Sequence, residues 1–528
     1  MRNLISLILL TASLSHAIQL PFDISKLWPV KPPPSESLPV VETPQPPRIA
    51  IIGAGAGGSS AAFWIAKAKE RSGLDVEIDI YERNDYIGGR STTVYPYNDK
   101  AYEPVELGAS IFVAVNKNLQ RATREFNLSL YGFEDDDGDM GIWDGEQFLY
   151  TTGSKTGIFG SWLDNLKFLW RYGYRSAKRM QELVRSTLDV FVTLYNSDAP
   201  QWSSIEELKN ALNWTELVSL TGAEYFLNHG VSQRLITELI EAGTRVNYAQ
   251  NVDDLHSLVT ACSLAADGGV SVKGGNWRIF EQFVKRSGAR IFLGTEVVGI
   301  QRRSDNGWTV ATQDGHRDYD AVIIAAPYHT SRISLPDDIS SSIPPQPYIH
   351  LHVTLLTTTA ATPDPEYFGY KPSGKIPTTI LTSFDGARQG GKAPEFNSLT
   401  YHGQAKIARN ETHDAQNTGE WSVKIFSMEP ISDDWLARVF QGQVGWVFRK
   451  EWDSYPVLPP TVEFPPVKLD DGLFYVNAFE PLISAMETET IASRNIVELI
   501  LKEKFNSSIC PVETTRATTD GGVYGWDC

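Results

Sequence analysis

Arg48-Ile49-Ala50-Ile51-Ile52 runs directly into Gly53-Ala54-Gly55-Ala56-Gly57-Gly58, an apolar segment follows, and Ile78-Asp79-Ile80-Tyr81-Glu82 closes the unit. Few folds accept that series. It reads as strand, glycine turn, helix and second strand, the opening of a parallel sheet that binds a dinucleotide. Gly53 permits the tight turn, Gly55 lets backbone approach a pyrophosphate, and Gly58 allows close packing of helix on strand. The free NH groups and positive dipole of the helix start face the phosphates. Glu82, at the end of the second strand, stands where a ribose hydroxyl would donate. A glycine triplet alone is weak evidence, but here strand, turn, helix and terminal acid fall in register.

Arg83-Asn84-Asp85-Tyr86-Ile87-Gly88-Gly89-Arg90 follows, where a nicotinamide enzyme would begin another crossover helix. Gly88 and Gly89 let backbone pass close to a diphosphate, and the Arg90 guanidinium offers its oxygens a fixed charged fork. The pairing resembles the flavoprotein superfamily that includes the amine oxidases. That resemblance implies that Arg90 lies on FAD and that Glu106-Leu107-Gly108-Ala109-Ser110 runs close to the flavin. Standing alone, the second segment also reads as a hairpin with a solvated arginine.

At 528 residues, 42% hydrophobic and 11% aromatic, the chain can bury a large core and is expected to hold two domains. Its net charge of -17, from 47 basic and 64 acidic residues, repels polyphosphates and disfavours nucleic acid. Arg2, the apolar run from Leu4 to Leu14 and Ser15-His16-Ala17 read as a cleaved signal peptide. No later run is long enough to span a bilayer. The sequons at Asn127, Asn213, Asn410 and Asn506 suit a secretory lumen, whether secreted or lysosomal/vacuolar. Cys510 and Cys528 could close a loop in the tail. Cys262 reads as a buried thiol rather than a nucleophile.

Along the chain, Pro29 to Pro47 is an extended proline-rich linker. Residues 155–245 are mostly helical, with Phe159, Trp162, Leu163, Leu166, Leu169 and Trp170 on one stripe and Lys167, Arg171, Arg175 and Lys178 on another flank. A solvated basic face over a core is the favoured reading; weak contact with an anionic membrane surface is the alternative. Arg290–Leu293, Val297–Ile300 and Asp320–Pro327 read as strands returning to the nucleotide domain. Between 345 and 465, runs such as Ile349–Leu355 and Thr379–Thr382 suggest a second sheet. Leu473–Glu480 reads as a strand, followed by a helix from about Met486 to Leu501. In flavin oxidases such a unit closes the cofactor site, and Glu480 and Met486-Glu487-Thr488 match it. A helix start aimed at the flavin ring would stabilise the anion that forms on reduction. An ordinary strand-to-helix connection is the alternative.

Beyond these motifs, Ile142-Trp143-Asp144-Gly145, Trp170-Arg171-Tyr172-Gly173, His229-Gly230-Val231-Ser232-Gln233-Arg234, Val272-Lys273-Gly274-Gly275-Asn276 and Tyr475-Val476-Asn477-Ala478 resemble the prenylcysteine oxidases, also called prenylcysteine lyases. The likeness covers most of residues 48–505. It implies a luminal enzyme that cleaves an S-farnesyl or S-geranylgeranyl cysteine with FAD, dioxygen and water, yielding prenyl aldehyde, cysteine and hydrogen peroxide. The allylic carbon on sulfur is a good hydride donor, because sulfur and alkene share the developing positive charge. The protein then supplies orientation and a dry pocket.

The expected fold is α/β: an FAD-binding Rossmann-like domain, as in the amine-oxidase-like flavoproteins, with a second α+β substrate domain. Its segments are a signal peptide (1–17), a linker (18–47), FAD-binding parts (48–120, 265–335, 470–505), a mostly helical substrate part (121–264), a β-rich substrate part (336–469) and a tail (506–528). The FAD set is Gly53, Gly55, Gly58, Glu82, Gly88, Gly89, Arg90, Val298, Glu480, Met486, Glu487 and Thr488, with FAD held non-covalently. Val298 also fits plain strand core. Gly274, Gly275 and Asn276 resemble the family's loop near the flavin, or form an ordinary turn. Trp452 and Tyr455 wall an apolar pocket or simply pack. No base is named: Glu238, Glu241 and His256 lie in helices, but nothing in their spacing forces them into a pocket. No metal is expected. His350 and His352 share a strand face without a third ligand at diagnostic spacing, and the acidic run Glu134–Asp139 lacks the pattern of a calcium loop. No obligate protein partner is expected. A flavin oxidase of amines and a non-catalytic prenyl-lipid carrier remain as competing readings.

Overall fold

Four buried residues in a row, Ile49 to Ile52, need apolar cover on both faces, the environment of a central parallel strand. In the computed structural model, which describes residues 46–132, 139–153, 160–265, 268–407, 416–511 and 522–528, that is where they lie. The leader, the linker, most of the acidic run, Asn410 and the side chains of Phe159, Trp162 and Leu163 fall outside the described residues.

Arg48–Ile52 pairs in parallel with Glu77–Tyr81 on one side and Ala321–Ile324 on the other. Arg290–Phe292 extends the sheet past Glu77–Tyr81, Leu473–Tyr475 extends it past Ala321–Ile324, and Lys468–Asp470 adds an antiparallel edge. The strand order reverses beside Arg48–Ile52, so a crevice opens at the carboxyl ends of these strands. The strand expected over Leu473–Glu480 ends at Tyr475. Val476–Phe479 winds into a 3-10 turn instead, and this delivers Glu480 to the crevice.

Helix Ala56–Ser72 packs on this sheet against Trp277–Ser287 and the closing helix Met486–Phe505. Its buried Phe63 and Trp64 meet Trp526 of the tail at ring separations of 5.0 and 5.4 Å. A Cys510–Cys528 disulfide fixes that tail, and Arg71 donates to the Cys528 sulfur at 2.9 Å.

A second, seven-stranded sheet runs in the order Val444–Pro456, Tyr348–Thr358, Gln416–Ser427, Ser398–Ile407, Thr379–Thr382, Met140–Trp143 and Phe148–Thr151. The last two strands come from the stretch that reads as mostly helical. Leu351 lies opposite Trp452, His352 opposite Glu451 and His350 opposite Asp453. Alternation therefore sends Leu351 and Val353 into an apolar cluster with Leu107, Ala249 and Trp452, while the histidines take the other face.

The basic flank of helix Gly160–Tyr172 and its continuation is solvated, as its sequence favours, with Lys167, Arg175 and Lys178 exposed. The apolar side is not all covered: Phe168 and Tyr172 pack on Tyr150, but Leu166 and Leu169 are exposed and Trp170 is 89% exposed.

The disulfide spans a sequence separation of 18 residues, a loop whose closure stabilises a fold by roughly 3 kcal/mol. Cys528→Ser is expected to lower the urea midpoint correspondingly, with a slightly steeper slope because the released unfolded chain exposes more surface.

Candidate active site

Two glycine turns lie back to back. Gly53 takes φ +106°, and a Cβ there would sit 2.5 Å from the Ala325 carbonyl oxygen; one on Gly58 would sit 1.9 Å from that of Gly53. Gly88 N donates to the Ala54 carbonyl at 2.9 Å, and a Cβ on Gly89 would come within 3.2 Å of the Gly55 Cα. Side chains are excluded from this surface, leaving a backbone cradle at the start of helix Ala56–Ser72. Glu82 closes the first turn by accepting from Ala54 N at 2.9 Å and also accepts from Asn84. Gly274 and Gly275 brace the second turn from behind. Trp277 Nε1 donates to the Gly274 carbonyl at 3.1 Å, and a Cβ on Gly88 would meet the Trp277 Cβ at 2.8 Å.

At the mouth of the cradle Arg90 and Glu480 form an ion pair, with Glu480 buried to 1% exposure. Arg90 Nη1 also donates to the Ser454 carbonyl at 3.0 Å, and the Tyr348 hydroxyl donates to the second Glu480 oxygen. Burial works against the Arg90 charge, but the Glu480 carboxylate outweighs it and holds the guanidinium pKa above its ordinary value. Glu489 is affected in the opposite sense. Burial, then the Glu480 charge, push it well above the carboxylate range. Its Oε2 lies 3.0 Å from the point where a Gly57 Cβ would be.

The third wall comes from the second sheet. A Cβ on Gly108 would meet Trp452 at 2.9 Å, and Tyr455 sits edge-on to Tyr248 with ring centroids 5.7 Å apart. Lys424 donates to Ser110 Oγ at 2.7 Å and to the Glu106 carbonyl at 3.2 Å. Burial raises the Glu106 pKa and lowers that of Lys424, and their mutual attraction opposes both shifts. Ser91 Oγ, Glu106 Oε2, Trp452 Nε1, Ser454 Oγ and Glu489 Oε1 are buried without a protein partner. Buried polar atoms normally have one. A polar ligand threaded past the cradle would supply it, so the residues present fit a dinucleotide. Ala249 and Ile349 of the apolar cluster also line a cleft of about 830 Å³ with Phe384, Met428 and Ile431, within the size range of small-molecule sites.

Several named residues serve the fold instead. The Glu487 side chain turns from the cradle to cap helix Lys117–Glu125, accepting from Asn118 N (2.8 Å), Leu119 N (3.0 Å) and the Tyr195 hydroxyl (2.7 Å). Thr488 Oγ1 caps its own helix, leaving the backbone NH groups near Met486 as that end's free donors. Buried Asn276 pins Glu106 to Ala109 through its NH and amide. Val298 is exposed and Val297 buried, so Val298 is not the plain strand core that its sequence also fits. Glu238 pairs with Arg171 and Glu241 with Arg388, while His256 sits against the Pro481 carbonyl, lowered to about 4 by burial. Burial pushes the Cys262 thiol up to about 12, leaving it protonated. Asn127, Asn213 and Asn506 are exposed at left-handed turn positions. Sequence reading missed Tyr348, Glu489 and Lys424; a lysine inside the apolar alternation of Gln416–Ser427 was the available signal.

Comparison with known proteins identifies the wider group. The prenylcysteine lyase family model matches residues 159–511, and an NAD(P)-binding Rossmann-like domain matches 51–126. The chain belongs to the prenylcysteine lyase family. It is 31% identical to the farnesylcysteine lyase of Arabidopsis thaliana over 487 residues, covering 89% of this chain and 92% of that protein. With prenylcysteine oxidase 1 of Homo sapiens it shares 27% identity, covering 85% and 88%. Among solved structures, a putrescine oxidase double mutant aligns with a TM-score of 0.56 at 14% identity, covering 86% of this chain and 99% of that one. Cyclohexylamine oxidase from Brevibacterium oxydans aligns at 0.54 with 16% identity, covering 87% and 99%. The fold is that of the amine oxidases.

Burial raises the Glu487 pKa from 4.5 to about 7 in spite of its three donors. Between these values the folded state binds more protons than the unfolded one, so this group makes stability fall as pH rises from about 4.5 to 7. In thermal melts across that window, Glu487→Gln is expected to show a flatter decline than the parent chain.

Proposed function

We propose that this protein cleaves the thioether of S-prenyl-L-cysteine, farnesyl or geranylgeranyl, with dioxygen and water, giving prenyl aldehyde, cysteine and hydrogen peroxide. The observation that carries the reading is the backbone cradle and the buried Arg90–Glu480 pair opening onto the apolar wall of Leu107, Leu351, Val353 and Trp452. Family membership supports the substrate class. The cradle and its orphaned polar atoms suit FAD, held without a covalent bond. When bound, FAD supplies the two-electron acceptor for hydride from the allylic carbon.

The chain's own groups do the rest. Gly53, Gly55 and Gly89 admit the diphosphate to backbone NH groups. Met486 opens a helix whose dipole favours negative charge at its start. Trp452 and Leu351 form the apolar wall against which the thioether would lie, and the cleft admits the isoprenoid chain. Sulfur and alkene share the positive charge left by hydride loss; water adds there, and the hemithioacetal collapses to thiol and aldehyde.

Purified protein is expected to carry a flavin absorption band that bleaches on anaerobic mixing with farnesylcysteine, and to release peroxide in air. Bleaching by putrescine or cyclohexylamine but not by farnesylcysteine would make it an amine oxidase. No flavin band even after FAD addition would make it a lipid carrier. Gly58→Ala places a methyl 1.9 Å from the Gly53 carbonyl oxygen and should abolish the band.

The same reading sets the enzyme in a luminal compartment, secreted or lysosomal/vacuolar. The signal-like leader, the tail disulfide and three exposed sequons support this. Leu166, Leu169 and Trp170, flanked by Lys167 and Arg175, would rest weakly on the anionic surface from which a prenylated substrate comes. Trp170→Ala is expected to reduce co-sedimentation with phosphatidylserine vesicles; equal recovery of both proteins would remove membrane contact.

A further inference from the structure

Along the strand Tyr348–Thr358, His350 and His352 stand two residues apart and so project from the same face. Sequence spacing offers them no third ligand, because the third comes from another strand. The antiparallel register sets Glu451 of Val444–Pro456 opposite His352. One ligand atom from each of His350, His352 and Glu451 lies within 4.8 Å of the others, a third candidate ligand that spacing along the chain does not reveal.

We propose that His350, His352 and Glu451 bind one divalent transition-metal ion of the zinc class. Glu451 Oε2 lies 3.7 Å from His350 Nε2 and 3.9 Å from His352 Nδ1. Ligands at tetrahedral zinc lie about 3.4 Å apart, so small side-chain rotations close the set. The outer shell is also in place. Asp453 Oδ1 lies 3.3 Å from His350 Nδ1, so it can accept the proton of that nitrogen and leave Nε2 unprotonated toward the ion. Two imidazoles and two carboxylates balance a doubly charged ion. The face is exposed, which leaves room for water as the fourth ligand.

The position gives the ion a purpose apart from chemistry. Among the described residues Val444–Pro456 is the outermost strand of its sheet, with Tyr348–Thr358 as its strand neighbour. On its other face, Trp452 abuts Gly108, and the Ser454 carbonyl takes the Arg90 donor. A metal bridging both strands from outside would clasp the wall of the cradle.

The full chain, stripped with a chelator and dialysed, is to be titrated with zinc chloride against a chromophoric competitor, and separately with cobalt chloride while following the visible ligand-field bands. One equivalent is expected to bind with micromolar affinity, giving intense tetrahedral cobalt bands and a raised melting temperature. His352→Ala and Glu451→Ala should abolish both signals, Asp453→Asn should weaken affinity about tenfold or more, and His316→Ala on a remote hairpin should change nothing. A parent chain without a stoichiometric step, or one whose step survives both His352→Ala and Glu451→Ala, would overturn the assignment. The variants lie on a solvent face, and their flavin band and unbound melting temperature check that they fold.

Discussion

Arg90 and Glu480 are separated by 390 residues, yet meet as an ion pair in which Glu480 is buried and Arg90 half-buried. Removing two charges from water costs several kcal/mol each, and that cost is offset only if each finds its partner and further hydrogen bonds. Here the further bonds come from Tyr348 and Ser454, both on the second sheet. Four remote stretches must therefore be in place before either charge is satisfied. Losing one partner of such a pair costs about 3–5 kcal/mol, since the other is left buried alone. The geometry of the crevice is thus tied to the docking of one sheet on the other.

That pair also alters what Arg90 can do. With Nη2 on Glu480 and Nη1 on Ser454, two of the five guanidinium N–H donors are committed inside the protein. The backbone NH groups of the cradle and the dipole of helix Ala56–Ser72 then carry a large share of any diphosphate binding. This division suits a site in a strongly acidic chain, because backbone donors bring no counter-charge that must be paired when the ligand leaves.

The parts of this architecture legible in the sequence are those governed by local rules. Strand Arg48–Ile52, the turn at Gly53 and the helix from Ala56 each follow from their own residues, and the closing helix begins at Met486 as its pattern indicates. The parts that were not legible depend on partners remote in the chain. Glu487 has the placement of a cofactor ligand, but its fate is decided by the NH groups of Asn118 and Leu119. Val298 and Val297 are equivalent as letters, and only the packing of their hairpin decides which is covered. Glu451 joins His350 and His352 through strand register, which no spacing along one segment encodes.

Carboxyl groups dominate the interior around the crevice: Glu106, Glu480, Glu487 and Glu489 are buried, with Lys424 and Arg494 as buried cations near them and Arg90 half-buried. Such a set cannot be fully ionised without uncompensated negative charge in a poorly solvated space. The raised pKa values of Glu106, Glu487 and Glu489 are how that conflict is relieved, by holding protons rather than recruiting more cations. The donors left facing the crevice are the backbone NH groups of the cradle. An anionic cofactor and a hydrophobic thioether can then share one crevice: the donors meet the anion along the cradle, and the uncharged wall at Trp452 and Leu351 is left to the isoprenoid.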